Sequence, residues 1–423
     1  MTQVRPFRAL RYDPDRVDLS KVIVPPYDVV AAEDREGFFA RDPHNAIRLE
    51  LTRDVADEAG TDYAEVRTTL DGWIREQILT RDGEPGFYPL RQSFDAPDGT
   101  RQSRDGFFAL IHLEDYEKRI VRPHERTLAG PKADRLKILR AAEANLSVVF
   151  MLYEDPDEEL APLLDAALEN SALGTASEQS GAEHRLARLT DASAVDKITS
   201  FFDDRSVVIA DGHHRYETAL NYRNEQREAG AGDGLDAPHE WLLVYLANAF
   251  APGSLLLPIH RLILKGSFPN DAGLRERLAE WEVREVDVPS AESIPELLET
   301  HLEPLRDRHA FAADDASGTL RIFSRPREDD TLTVRVIHQE VIADVFDLDE
   351  DAVRGGAISY PKSALQTARD LRRGHGAVAL YLNPLAPEDV FRVTAAGEVL
   401  PQKSTFFFPK LPSGLVFRPL DGA

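Results

Sequence analysis

Cysteine is absent from all 423 residues. That excludes disulfides, cysteine nucleophiles, thiolate zinc sites and cysteine-held iron–sulfur clusters together, and it fits a reducing compartment. Long apolar runs are also missing, since nothing approaches the roughly 18 residues that cross a bilayer. The opening MTQVRPFRALRYDPDRVDLS is polar, with no apolar stretch ahead of a cleavage site, so it does not read as a secretory signal. A soluble, cytoplasmic protein with no membrane partner is the expectation. Basic charge is scarce: 50 Lys and Arg stand against 74 Asp and Glu, a net −24. A field of that sign repels phosphate backbones and anionic lipid. It argues against an extended nucleic-acid surface and leaves room for a local basic pocket.

What is present describes an ordinary globular chain, 42% hydrophobic and 29% charged. At roughly 100–200 residues per domain, the length predicts two to four domains. Helical and strand patterns alternate without a repeat or heptads, which predicts an α/β or α+β fold with mixed sheets. Residues 1–120 read as an N-terminal α/β region and 266–423 as a C-terminal α/β region, with 121–265 between them. Within these, 171–183 (SALGTASEQSGAE) is small and polar and reads as a loop. Leu332–Ile337 reads as a strand, and Leu255–Leu264 is apolar enough for central strand.

The strongest local signal is VVIADGHHRYETA, Val207 to Ala219. An apolar strand runs out at Asp211-Gly212 and turns directly into a helix. Orphan amides and the positive end of the helix dipole there meet His213, His214 and Arg215. Such a turn suits a phosphate or carboxylate, with Gly212 permitting close approach and Arg215 gripping two oxygens. Asp211 can cap the helix, orient a histidine or hold magnesium. The same residues also describe a plain capped helix with solvated or packed histidines. Zinc is a weaker reading, because adjacent histidines chelate poorly and no HExxH occurs.

A second signal is Arg122-Pro123-His124-Glu125-Arg126. A carboxylate among arginines stays ionised and suits a general base or metal ligand; a structural salt-bridge loop is the alternative. Pro25-Pro26-Tyr27-Asp28 forms a stiff loop that can wall a site, with Tyr27 and Asp28 exposed to it or merely leaving a strand. Lys403 and Ser404 in PQKSTFFFPK offer a cation and a hydroxyl beside an aromatic strand. LPIHR carries His260 and Arg261 on a strand, aimed at a ligand or at solvent.

PPYDV, NAIRLEL, RPHERTLAGPKADRLKIL, ADGHHRYETAL, LPIHR and PQKSTFFFPKLPSGLVF occur in that order. Together they resemble the prokaryotic family catalogued as domain of unknown function 1015, from Phe7 to Pro419. More distantly, the Pro-His-Glu loop paired with the later Asp-Gly-His-His-Arg turn is similar to the ParB/sulfiredoxin-like superfamily, and within it to free serine kinases. That resemblance implies a ParB/sulfiredoxin-like core over 121–265 with an insertion near 145–205, and a small-molecule kinase using ATP or ADP with Mg2+, free serine being the leading acceptor. It makes Glu125 the base on the acceptor hydroxyl and Asp211 the magnesium-binding or orienting carboxylate. His124 and Gly212 to Arg215 become the phosphate cradle, with Arg122 or Arg126 steadying transferring charge. A nucleotide-binding regulator without turnover is the alternative it also allows.

Overall fold

The computed structural model describes residues 1–51, 63–97, 99–125, 130–265, 273, 276–401 and 403–421. By packing, the chain divides into two units. The first is Met1–Leu255 with Phe391–Val399 and Pro409–Ala423; the second is Leu256–Val390 with Leu400–Phe408.

The first unit is built on one mixed sheet. Its strands are β1 (Val4–Arg5), β2 (Tyr88–Asp95), β3 (Arg101–His112), β4 (Val121–Pro123), β5 (Val149–Tyr153), β6 (Ala172–Ser177), β7 (Glu183–Ala187), β8 (Val207–Asp211) and β9 (Trp241–Asn248). Their order is β4-β8-β5-β9-β3-β2-β7-β6, with β1 also on β3. Residues on both sides of position 120 therefore share this sheet. β5 and β9 pair in parallel and are buried along their whole length. That explains their unbroken apolar runs, since a strand covered on both faces has no polar face to show.

Helix α1 (Ala64–Arg75) packs on α2 (Gly130–Ala142); α3 (Ala161–Asn170), α4 (Ala192–Phe201) and α5 (His213–Glu228) lie against the sheet, and α2 packs on α5. α1 buries Val66, Leu70 and Trp73, one face of a 3.6-residue period. α4 starts where the Asp191 side chain accepts from the Ala194 amide, and it then buries Ala194, Ile198 and Phe201. These pack with Leu160, Leu164, Val149, Met151, Tyr153, Val207 and Ile209 into one core. Gly106 of β3 lies opposite Ala247 of β9. A Cβ there would stand 2.5 Å from the Leu246 carbonyl oxygen and 2.5 Å from the Tyr245 ring. Gly106→Ala is expected to cost about 2–3 kcal/mol as overpacking against rigid backbone, read as a lowered unfolding midpoint.

Three expectations are corrected. The 171–183 segment is not a loop: most of it is β6 and the turn into β7. Only Ala176, Ala182, His184, Leu186 and Ala187 are buried, so pairing of β7 with β2 confers the strand rather than intrinsic propensity. Leu332–Ile337 is not a strand. Leu332, Val334 and Val336 alternate as a strand would, but Ile337, Val341 and Ile342 are buried too, and the chain takes a helix at Thr333–Val336 that widens into a π-helix over Ile337–Ala343. Leu255–Leu264 is broken at Pro258 into Leu255–Leu257 and β10 (Arg261–Ile263).

The second unit has its own sheet, which β10 shares with β11 (Glu282–Asp287), β12 (His309–Asp314), β13 (Thr319–Arg325), β14 (Ile358–Ser359) and β15 (Val378–Leu382). The order is β11-β13-β12-β15-β10-β14, antiparallel throughout. Helices α6 (Ile294–His301) and α7 (Ala364–Arg372) cover it, and Ile294, Ala368 and Leu371 join the core formed by Ala310, Ala312, Leu320 and Ile322.

Candidate functional site

Glu125 and Asp211 stand 86 positions apart in the chain. β4 and β8 remove that distance by pairing in parallel, Val121 to Val207, Arg122 to Val208 and Pro123 to Ile209. Two parallel neighbours end at the same edge of the sheet, so the residues that leave them, His124-Glu125 and Gly212-His213, emerge side by side.

Gly212 turns β8 into α5 at φ +92, a left-handed conformation that favours glycine. A Cβ there would also approach Arg215 Nε at 2.9 Å. Gly212, the N-cap, has no side chain to cap α5, so its first-turn amides and the positive end of a 16-residue helix face the edge of the sheet.

Asp211 is a junction of charge. One carboxylate oxygen accepts from Lys410 Nζ, and the other accepts from Arg215 Nη2 at 2.5 Å. The side chains of Asp211, Arg215 and Lys410 are 13%, 9% and 21% exposed. Burial works to raise the Asp211 carboxyl, but Lys410 and Arg215 outweigh it and hold it down to about 2. Arg215 also donates to the Val148 carbonyl. Against the desolvation that opposes it, the charges of Asp211, Asp28 and Glu50, with Tyr27, keep the Arg215 guanidinium firmly protonated.

Lys410 is held by its own backbone. Arg104, 1% exposed, donates to the Pro409 carbonyl at 2.7 Å and to Gln92 Oε1, while Gln92 Nε2 reaches the Lys410 carbonyl at 3.4 Å. A buried guanidinium and a buried amide thus fix the main chain on either side of the Asp211 ligand.

The imidazoles of His124 and His213 meet edge to face, ring centroids 4.6 Å apart. The Ile209 carbonyl can only accept, which places the His124 proton on Nδ1. The His124 amide can only donate, and it reaches His213 Nε2 at 3.2 Å, so that nitrogen is an acceptor. Burial, then the neighbouring His124, press His213 well below the ordinary histidine value; burial lowers His124 as well. Both rings are therefore neutral at pH 7. As pH falls below about 6.5, the unfolded chain takes up protons that the folded rings refuse, so stability drops with acidification. Urea midpoints measured between pH 7 and 5 are expected to fall in the wild type and to fall less in His213→Gln.

Glu125 follows on the exposed side, its carboxylate 27% accessible and 3.9 Å from His124 Nε2. His214 opens the helix beside His213, half-buried. Tyr27 stacks on Arg135 at 4.1 Å, and its ring and Asp28 lie in the field of Arg215, so the Pro-Pro-Tyr-Asp loop borders this edge. Arg122 donates to the Arg119 carbonyl at 3.2 Å, and burial lowers its guanidinium despite the nearby Glu154. Arg126 lies outside the described residues. Lys403 and Ser404 belong to the second unit, where the Lys403 carbonyl accepts from Arg261. The site cation that sequence reasoning missed is Lys410. Its only local signal is a lysine held just after Phe-Phe-Phe-Pro, a segment in which Lys403 drew the attention.

Among the described residues no group of three His, Asp or Glu converges, and both Asp211 oxygens are engaged by cations. No described helix is long and apolar enough to cross a membrane.

Comparison with solved structures finds similarity to a free serine kinase in complex with AMP, 13% identical over 73% of this chain and 92% of that one, TM-score 0.34. A conserved hypothetical protein from Pyrococcus furiosus is 14% identical over 73% of this chain and 95% of that one, TM-score 0.32. SbnI from Staphylococcus aureus, truncated at its C-terminus, is 11% identical over 74% and 87%, TM-score 0.32. No curated protein matches. Residues 4–339 match the family described as protein of unknown function, DUF1015, and the chain belongs to that family.

Proposed function

We propose that the first unit is a small-molecule phosphotransferase. A nucleotide binds by its phosphates at the Gly212 turn, and Glu125 takes the proton of an acceptor hydroxyl. The observation that carries this reading is the parallel β4–β8 pairing, which delivers an accessible carboxylate beside an uncapped helix N-terminus backed by Arg215 and Lys410. That combination supplies what phosphoryl transfer asks of a protein, positioning and charge stabilisation rather than covalent chemistry.

In the step, the acceptor oxygen attacks the terminal phosphorus of ATP or ADP as its proton passes to Glu125. The phosphorus–oxygen bond to the rest of the nucleotide breaks, and the charge left on the departing phosphate falls to the α5 amides and Arg215. Glu125 then returns its proton to solvent. Asp211 is a positioning carboxylate that aligns Arg215 and Lys410. Magnesium in this reading arrives with the nucleotide, held chiefly by phosphate oxygens.

The test is product detection by mass spectrometry. Full-length protein is incubated with magnesium, ATP or ADP, and a panel of hydroxyl metabolites that begins with free serine, the acceptor implied by the motif resemblance. A phosphorylated product that disappears in both Glu125→Gln and His213→Ala supports the reading and names the acceptor. Nucleotide binding without product from any acceptor, lost in His213→Ala, replaces it with a nucleotide-binding regulator. Neither product nor binding overturns both.

A further inference from the structure

The second unit gathers arginines where its strands end. β12 is antiparallel to β13 and β15, and β15 to β10. The start of β12, the end of β13, the end of β15 and the start of β10 therefore lie at one edge of the sheet. Arg306 and Arg308 precede β12, Arg327 follows β13, and Arg261 opens β10. All four line one small cavity of about 20 Å³, together with Thr333 and Ser404.

The charge there is poorly balanced. Arg306 pairs with Glu303 at 2.8 Å and Arg308 lies 3.0 Å from Glu282, both toward the rim. Arg261 and Arg327 have no carboxylate partner among the described residues. Arg261 is 1% exposed; its contacts are the carbonyls of Ile259 and Lys403, His338 Nε2 at 3.3 Å and the Tyr360 ring at 5.7 Å. Its Nε, the Nε of Arg308 and the Nε of Arg327 are buried without a hydrogen-bond partner. His338, in the π-helical segment, and His260 offer it no negative charge: burial, then Arg261 itself, hold these imidazoles down to about 4 and about 3. His309 is lowered by burial, then by Arg327 and Arg325.

A buried cation without a counter-ion is costly, and partnered charge is the usual state of such groups. Here at least two guanidiniums converge on one cavity in a chain of net charge −24, so the excess is local and directed. Forked donors match the geometry of phosphoryl and carboxylate oxygens. We propose that this strand-end cavity is an oxyanion-binding site, which takes the phosphoryl or carboxylate group of a small metabolite between Arg261, Arg308 and Arg327, with Thr333 and Ser404 as hydroxyl partners. A cavity of this size holds about one oxygen-sized group, so the anion inserts an oxygen and leaves the remainder of the ligand outside. Arg261 of LPIHR and Ser404, which the phosphotransferase reading leaves unused, both line it.

Calorimetric titration of the full chain at low ionic strength tests this, with inorganic phosphate and malonate as separate probes. A saturable site for at least one anion is expected to persist in His213→Ala, where the Gly212 cradle is disabled, and to weaken about tenfold or more when Arg261→Gln or Arg327→Gln is added. Arg327 is only half-buried, so its variant decides the matter if Arg261→Gln, at a fully enclosed position, fails to fold. Phosphate alone binding assigns a phosphoryl group, and malonate alone a carboxylate. No binding of either probe overturns the proposal. So does binding that survives both arginine substitutions or disappears in His213→Ala.

Discussion

Glu125→Gln is expected to lower turnover by at least about a hundredfold while nucleotide affinity stays within a few-fold of wild type. General base catalysis is commonly worth 10²–10⁴ in rate, and the amide keeps the size and hydrogen bonding of the acid while removing its basicity. The carboxylate lies on the accessible side of His124 and is not one of the charges that fix Arg215, so the phosphate cradle survives the change. Single-turnover kinetics with pre-bound nucleotide read the chemical step, and a fluorescent nucleotide reads binding. Full turnover in the variant would remove Glu125 from the reaction. Equal loss of binding and turnover would make it a structural member of the loop instead.

Asp211→Asn carries the largest expected cost in stability. It leaves Lys410 and Arg215 as two neighbouring cations, 21% and 9% exposed, with no charge between them. Breaking a buried ion pair from one side costs about 3–5 kcal/mol, which corresponds to roughly 6–20 °C in unfolding midpoint for a unit of this size. Lys410→Met in the same chain is expected to restore part of the loss, because it removes one of the two stranded charges. A single variant within about 0.5 kcal/mol of wild type would show that the junction is solvated and unimportant. Acid behaviour gives a second readout. The Asp211 carboxyl is depressed from 3.8 to about 2 in the folded chain. Its contribution is therefore complete above about pH 4 and is lost as pH falls toward 2. Asp211→Asn lacks that contribution at every pH, so its deficit against wild type shrinks across the same interval.

The two halves of the candidate site differ in how much of them the sequence reveals. The Gly212 turn is legible because strand, breaker and helix are contiguous: Val207 to Ala210 must be buried, Asp-Gly must interrupt, and His213 must begin a helix. Glu125 is legible as a chemical group but not as a neighbour of that turn. Only the three-residue β4 places it, and a strand that short leaves no periodicity to read. Lys410 is invisible for a different reason, since nothing local distinguishes a lysine that Arg104 and Gln92 hold in place by its own carbonyl and that of Pro409. The β6–β7 hairpin shows the same limit in the fold. Its residues are small and polar, and what makes them strands is the edge of β2. In the second unit, Leu332 to Val336 satisfies a period of two as well as the first turns of a helix, and packing of Ile337, Val341 and Ile342 decides between them.

The ion junction at Asp211 also has a history in time. Lys410 follows Asp211 by 199 residues, and the whole of the second unit is made in that interval. At about 5–20 residues per second on the ribosome, roughly 10–40 s pass between the two. During that interval the nascent chain holds β8, α5 and Arg215 but not the lysine. The cradle is therefore completed in two stages, and a chain released between the end of β9 and Pro409 leaves the Asp211 carboxylate with Arg215 alone instead of two cations.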